Sequence, residues 1–287
     1  MRIATRGSAL ARWQAEHVAG LLAVVAPDLD VELVIVQTEG DRRRDQPIHT
    51  LGGQGVFVKE VEQAVLDGRA DAAVHSAKDL PSVTAPGLAL AAVPERHDAR
   101  DALVGRTLAA LAPGATVATG SVRRQAQLAR LRPDLVFVDL RGNIGTRLER
   151  VPPDGAAVVA VAALERLGLS GQIADVLDPD AVVPQVGQGA LAVECRADDA
   201  AAIELVARIE HAPSRLAVDA ERAFLARLGG GCDLPVGAYA TVADGTLALR
   251  SFLSGPGSVW LDIRSGPLAD AGAWTADVAT AALAATA

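Results

Sequence analysis

Thr116-Val117-Ala118-Thr119-Gly120-Ser121-Val122-Arg123-Arg124 reads as a short strand that turns through a glycine into a helix running on to Leu131. Ser121 is its capping residue, and two arginines follow in the first turn. The same junction occurs twice more, in Thr5-Arg6-Gly7-Ser8 and in Arg141-Gly142-Asn143-Ile144-Gly145-Thr146-Arg147. Each has a glycine for close backbone approach, a residue suited to cap a helix, and arginine within reach. Free N–H groups and the dipole at a helix start favour an anion. Arginine adds a planar fork that matches a carboxylate. One such junction signals only ordinary capping. Three of them in parallel α/β units fall at the same edge of the sheets, where ligands bind, and so predict a cleft for a ligand with several negative charges.

The chain around these junctions alternates β-rich and helical runs, the pattern of parallel α/β domains. Strands are expected at 2–5, 31–37, 72–75, 88–93, 116–118, 135–139 and 157–161. Helices are expected at 8–25, 57–66, 121–131 and 143–149, and through Arg166. The apolar run 31–37 suits a sheet covered on both sides. Ala9, Trp13, His17 and Gly20 share one face of the first helix. From about Ala212 the character changes. A hairpin turns at Asp244-Gly245, a further strand begins at Val259, and an alanine-rich helix closes the chain, making a small α+β domain.

The chain has 287 residues, enough for two or three domains. Its net charge is −8 and aromatics are 3% of residues, which argues against a nucleic-acid partner. No apolar run reaches the length of a membrane span, and the N-terminal residues lack the pattern of a signal peptide. A cytoplasmic protein is expected. The cysteines, Cys195 and Cys232, form neither a disulfide framework nor a zinc site, and no metal is expected.

Cys232 lies in Gly229-Gly230-Gly231-Cys232-Asp233-Leu234-Pro235, a turn that presents a side chain rather than burying it. It is a candidate covalent attachment point, against the plainer reading of a free surface thiol. Cys195, in a strand-like run, reads as a packed thiol. Gly187-Gln188-Gly189-Ala190-Leu191-Ala192 fits a dinucleotide pattern, but it continues as a strand where a helix is required. His75-Ser76-Ala77-Lys78-Asp79-Leu80-Pro81 is a loop at the C-terminal end of a strand. Lys78 stands out there because the only other lysine is Lys59.

In order and spacing, these segments resemble the porphobilinogen deaminases over essentially the whole length. The resemblance rests on Arg2 to Ser8, Gly55-Val56-Phe57-Val58-Lys59-Glu60, His75 to Pro81, Ser121-Val122-Arg123-Arg124-Gln125, Leu140-Arg141-Gly142-Asn143, Val186 to Ala190, and Leu228 to Gly237. It implies two α/β domains like the halves of a periplasmic binding protein and a small C-terminal α+β domain. The implied bounds are 1–93 completed by 190–207, then 97–183, then 212–287, with Gly-Gln-Gly as a hinge crossing. It implies a monomer that condenses four porphobilinogens into hydroxymethylbilane on a dipyrromethane held by a thioether, here at Cys232. The matching cofactor-binding positions are Lys78, Asp79, Thr119, Ser121, Arg123, Arg124 and Gly142. The matching substrate-binding positions are Arg6, Ser8, Arg141, Arg147, Arg166 and Phe57, with Asp79 as the catalytic carboxylate. Thr50 and Gln54 depart from lysines common in the family, Gly120 from a serine, and Asp233 from a neutral polar residue. Two rival readings are a non-catalytic anion-binding protein of the same fold and an RNA-binding protein using arginine loops.

Overall fold

The computed structural model describes residues 1–38, 58–229 and 234–287. Its first lobe starts with β1 (Arg2–Arg6), α1 (Ala9–Val25) and β2 (Glu32–Val36). It continues through α2 (Lys59–Leu66), β3 (Ala72–Ser76) and β4 (Leu88–Ala92). The chain then crosses into a second lobe of β5 (Asp101–Gly105), β6 (Thr116–Ala118), α3 (Val122–Leu131), β7 (Val136–Val138), α4 (Ile144–Glu149), β8 (Ala156–Ala160), α5 (Val161–Arg166) and β9 (Ile173–Val176). It returns to the first lobe as β10 (Leu191–Arg196) and α6 (Ala200–Ala207). The third unit is α7 (Ala212–Arg227), β11 (Val236–Ala243), β12 (Thr246–Ser254), β13 (Val259–Pro267) and α8 (Ala271–Thr286).

Among the described residues the first sheet has the order β2-β1-β3-β10-β4 and the second β7-β6-β8-β5-β9. The two sheets share one plan. A sequence-first reading expects parallel sheets, yet each has one antiparallel strand, β10 in the first and β5 in the second. Each of these strands enters its sheet straight from an interlobe crossing. No crossover helix carries the chain back to the starting edge, so the strand runs against its neighbours. The expected strands and helices fall within a residue or two of the observed ones, whereas β5, β9 and α6 are additions.

One further expectation is corrected. β2 is an edge strand with Ile35 47% exposed, so it is not covered on both sides. The core-facing side of α1 is Ala15, Val18 and Leu22. Trp13 and His17 instead face His97 on the crossing segment, with Trp13 and His17 stacked at 5.0 Å between ring centroids. β8 is buried along its whole length, as an interior strand with helices on both faces should be. In the third unit β11, β12 and β13 form an antiparallel sheet packed on α7 and α8 through Phe224, Leu247, Leu249 and Val278. Its hairpin turns through Asp244 and Gly245, both at positive φ as a tight primed turn requires. No helix among the described residues is long and apolar enough to cross a membrane.

The crossings pack tightly. Gly187 has φ +69, and a Cβ there would sit 2.8 Å from the Ala77 carbonyl carbon and 3.0 Å from Lys78 N. Gly189 has φ +85, and a Cβ there would sit 2.5 Å from His97 O. Only glycine allows one crossing to lie against both the other crossing and the Lys78 turn.

Candidate active site

The strand-to-helix junctions gather where the sheet geometry predicts. β1 and β3 are parallel neighbours, so Arg6 and Ser8 leave the first sheet at the same edge as Lys78 and Asp79. β6, β7 and β8 run parallel in the second sheet and deliver Thr119 to Arg124, Arg141 to Arg147, and α5 to its own edge. Ser8, Ser121 and Asn143 each cap a helix, accepting from the backbone N–H of Ala11, Arg124 and Thr146 at 3.3, 3.5 and 3.0 Å. Thr119 is buried, and its Oγ1 accepts from Ser121 N at 3.2 Å. Gly142 is exposed with φ +110, ahead of the Asn143 cap.

Arg123 and Arg124 are buried on the first turn of α3, and the residue that holds them is Asp101 at the start of β5. Arg123 Nη2 donates to Asp101 Oδ2 at 2.8 Å, and Arg124 Nε and Nη2 donate to Asp101 Oδ1 at 3.0 and 2.7 Å. Backbone carbonyls take further donors, Val183 O from Arg123 and Val158 O from Arg124. Burial alone would raise the Asp101 carboxyl, but the two guanidinium groups overcome that and hold it well below the usual carboxylate range. Gln188 completes the arrangement. Its amide Nε2 donates to Asp101 Oδ1 at 2.8 Å, and its Oε1 accepts from Lys78 Nζ at 3.2 Å. One buried glutamine thus joins the lysine of the first lobe to the arginine pair of the second.

Lys78 and Asp79 lie on a single 3-10 turn that follows β3. The Lys78 ammonium is pushed down to about 8, chiefly by burial and then by the Arg124 charge. Arg147 is pushed down to about 10 by burial, with Arg124 adding to the effect, and its Nε donates to Gly142 O at 2.8 Å. The Asp79 carboxylate acts on both Lys78 and Arg147, yet has no hydrogen bond or ion pair with any described residue. Arg141 is tied to Asp139 at 2.6 Å. Arg166 is set apart from this group. It donates to Gly189 O at 2.7 Å, lies over the Trp13 ring at 5.6 Å, and is pushed down to about 10 by burial. Arg123 Nε and Arg166 Nε are buried donors with no acceptor.

Phe57 and Cys232 lie outside the described residues. Cys195 is fully buried in the first-lobe core, where burial pushes its thiol up to about 12, so it is an inert packed group. Asp101, Gln188 and Gln185, whose amide donates to Lys78 O at 3.3 Å, belong to the site but not to the sequence-derived set. Asp101 is separated from its arginines by more than twenty residues, and nothing local marks it. Gln188 carried a signal, since it sits between two glycines at the crossing.

The family model for the porphobilinogen deaminase dipyromethane cofactor binding domain matches residues 1–204, and that for the porphobilinogen deaminase C-terminal domain matches residues 215–259. A porphobilinogen deaminase of Nitratidesulfovibrio vulgaris is 50% identical over 258 residues, covering 88% of this chain and 81% of the relative. One from Syntrophotalea carbinolica is 48% identical over 278 residues, covering 94% and 88%. Among solved structures, a nutrient binding protein from Burkholderia cenocepacia bound to methionine aligns with TM-score 0.45 at 13% identity, over 72% of this chain and 89% of that one. An arginine-specific periplasmic binding protein from Salmonella typhimurium aligns with TM-score 0.39 at 15% identity, over 73% and 90%.

Proposed function

The chain belongs to the porphobilinogen deaminase family, and from that premise we infer how its cleft does the family's work. The protein is a transferase, a hydroxymethylbilane synthase of tetrapyrrole biosynthesis. It joins four porphobilinogens head to tail and releases ammonia at each step. Its cofactor is a dipyrromethane, held by a thioether to Cys232. We divide the chain at 1–93 with 190–207, 97–183, and 212–287, a division supported by the three sheets. It acts as a cytoplasmic monomer on a small molecule, with no membrane or nucleic-acid partner. The net charge of −8 supports the last point.

The residues present fit a polycarboxylate. The buried, acceptor-free Nε donor of Arg123 and the crowded cations Lys78, Arg124 and Arg147 form a site short of negative charge, and Arg166 holds a second acceptor-free Nε apart from them. Acetate and propionate groups would supply that charge. Lys78, Thr119, Ser121, Arg123, Arg124 and Gly142 bind the cofactor, while Arg6, Ser8, Arg141, Arg147, Arg166 and Phe57 serve the incoming substrate and the growing chain. When bound, the dipyrromethane supplies the nucleophilic pyrrole carbon from which the product grows.

The observation that carries the chemistry is the Asp79 carboxylate among cations, with no hydrogen bond or ion pair to a described residue. Loss of ammonia from porphobilinogen and formation of the new carbon–carbon bond both place positive charge on pyrrole nitrogen. An ionised carboxylate facing those N–H groups lowers both barriers and is placed to move their protons. Lys78 and Arg147 fix the acid groups of cofactor and substrate on either side, so the pyrrole nitrogen is left for Asp79. Asp101 keeps Arg123 and Arg124 in one orientation, so their remaining donors need no reordering when a carboxylate arrives.

A tryptic digest read by mass spectrometry tests the cofactor assignment. The pyrrole adduct is expected on the Cys232 peptide alone. An adduct on Cys195, an active Cys232→Ala protein, or a bare polypeptide mass overturns it. The bare mass is also what the anion-binding and RNA-binding readings require.

A further inference from the structure

Arg222 projects from α7 of the third unit, and among the described residues it is a largely buried arginine with no ion-pair partner. It is 8% exposed, against Arg123 at 3% and Arg124 at 6%. Those two share Asp101, Arg96 is clamped by Glu221, and Arg166 donates to Gly189 O. Arg222 makes no hydrogen bond or ion pair with any described residue. Glu194 and Asp219 are the acids near enough to act on it. Glu194 Oε2 lies 3.3 Å from His75 Nε2 without a hydrogen bond between them, and Asp219 pairs with Arg215 at 2.7 Å. A guanidinium removed from water without an anion is costly, and an evolved fold seldom keeps one without a use.

The surroundings of Arg222 show what that use is. It lines a cavity of about 50 Å³ together with Lys78, Ser121, Arg123, Gln185 and Leu234. Lys78 comes from the first lobe, Ser121 and Arg123 from the second, and Arg222 from the third. Three cations and two hydroxyls, those of Ser121 and Ser82, line this space, and no carboxylate of a described residue does. Lys78 is a point charge and Arg123 is largely committed to Asp101 and Val183 O. Arg222 is therefore the one cation of the three whose planar fork is uncommitted. Such a fork selects a carboxylate by two parallel bonds.

We propose that Arg222 is a carboxylate clamp by which the third unit grips an acid side chain of the covalent cofactor in the cavity it shares with Lys78 and Arg123. The inference rests on the cofactor reading above and adds to it a residue outside the strand-to-helix junctions. It also gives the cofactor a structural task. By joining cations from all three units, the bound polycarboxylate ties them together, so loading stabilises the molecule beyond the thioether itself.

This predicts effects of opposite sign in the two forms of the protein. Removing an unpaired buried charge relieves the cofactor-free protein and weakens the loaded one. Wild type, Arg222→Leu and Arg222→Gln are each prepared without cofactor and after loading with porphobilinogen. Melting temperature is read for both forms, and loading is followed by intact-protein mass. The cofactor-free Leu variant is expected to melt at or above the wild-type temperature. Its gain in melting temperature on loading should be less than half the wild-type gain. Loading should be slower by about tenfold, the loss of one modest charged contact. If the Leu variant does not fold, the near-isosteric Gln variant carries the same comparison. Equal destabilisation of both forms would show that Arg222 merely packs, and an unchanged gain with unchanged loading would show that it touches nothing. Either result overturns the clamp. A wild-type protein that never acquires pyrrole mass overturns the cofactor reading itself, and the clamp with it, which separates the two failures.

Discussion

Asp79 owes its position to a single 3-10 turn, and its chemistry to the cations around that turn. Asp79→Asn keeps the shape of the side chain but removes the charge that stabilises a cationic pyrrole. A folded protein with kcat lower by about 10²-fold or more is expected, the scale of losing one preorganised electrostatic partner. Asp79→Glu keeps the charge at a displaced position and should retain more activity. Single-turnover elongation on cofactor-loaded variants separates chemistry from loading. Near wild-type elongation by the Asn variant would remove Asp79 from the mechanism. Lys78 gives a second prediction, about pH. Its folded pKa of about 8 lies below its ordinary 10.5. The unfolded chain therefore binds the extra proton between those values, and Lys78 makes stability rise with pH across that window. In a cofactor-free Cys232→Ser background, the melting temperature should rise with pH between about 8 and 10.5 relative to the same protein carrying Lys78→Met. Parallel profiles for the two proteins would refute a crowded ammonium. Both residues were legible in the sequence, as a lysine and an aspartate at a strand's end. Their mutual setting was not, because the charges that define it arrive from the other lobe.

α3 illustrates how one element serves packing and binding together. Leu128 enters the second-lobe core, while Arg123 and Arg124 turn inward to Asp101. Arg124→Leu breaks a fully buried ion pair as well as a binding contact. The expected cost is about 3–5 kcal/mol of folding stability, together with impaired cofactor loading. Arg69→Leu is the control. Arg69 is exposed and faces Asp67 at a loose 3.5 Å, so its loss should be within about 0.5 kcal/mol. Chemical denaturation and intact-protein mass report the two effects separately. If Arg124→Leu keeps both stability and loading, its assignment to the cleft is wrong. The helix, its cap and its arginines follow from local sequence, since Ser121 and the first turn announce themselves. β5 did not, because Asp101-Ala102-Leu103-Val104-Gly105 has neither a helix before it nor a tight turn after it, and its identity as a strand comes from pairing with β8 and β9.

At the scale of the molecule, the crossings and the third unit are locked by one buried acid. Glu221 on α7 binds Arg96 on the outgoing crossing at 2.5 Å, and accepts from Gly187 N on the returning crossing at 2.7 Å and from Ala240 N on β11 at 2.8 Å. Glu221→Gln keeps the shape and loses the charge opposite Arg96, so a loss of about 3–5 kcal/mol is expected. Loading should fall along with stability, because the Lys78 turn rests against Gly187. A melting temperature equal to wild type would refute the lock. The sequence by itself determined the alternation of elements, the capped arginine junctions, the hairpin and the packed Cys195, because each depends on residues a few positions apart. Only the tertiary structure decided that Asp101 would hold Arg123 and Arg124, that Gln188 would bridge to Lys78, and that Arg222 would have no ion-pair partner among the described residues. Those facts depend on which elements the crossings bring together, and burial, not sequence spacing, sets the strength of a charge.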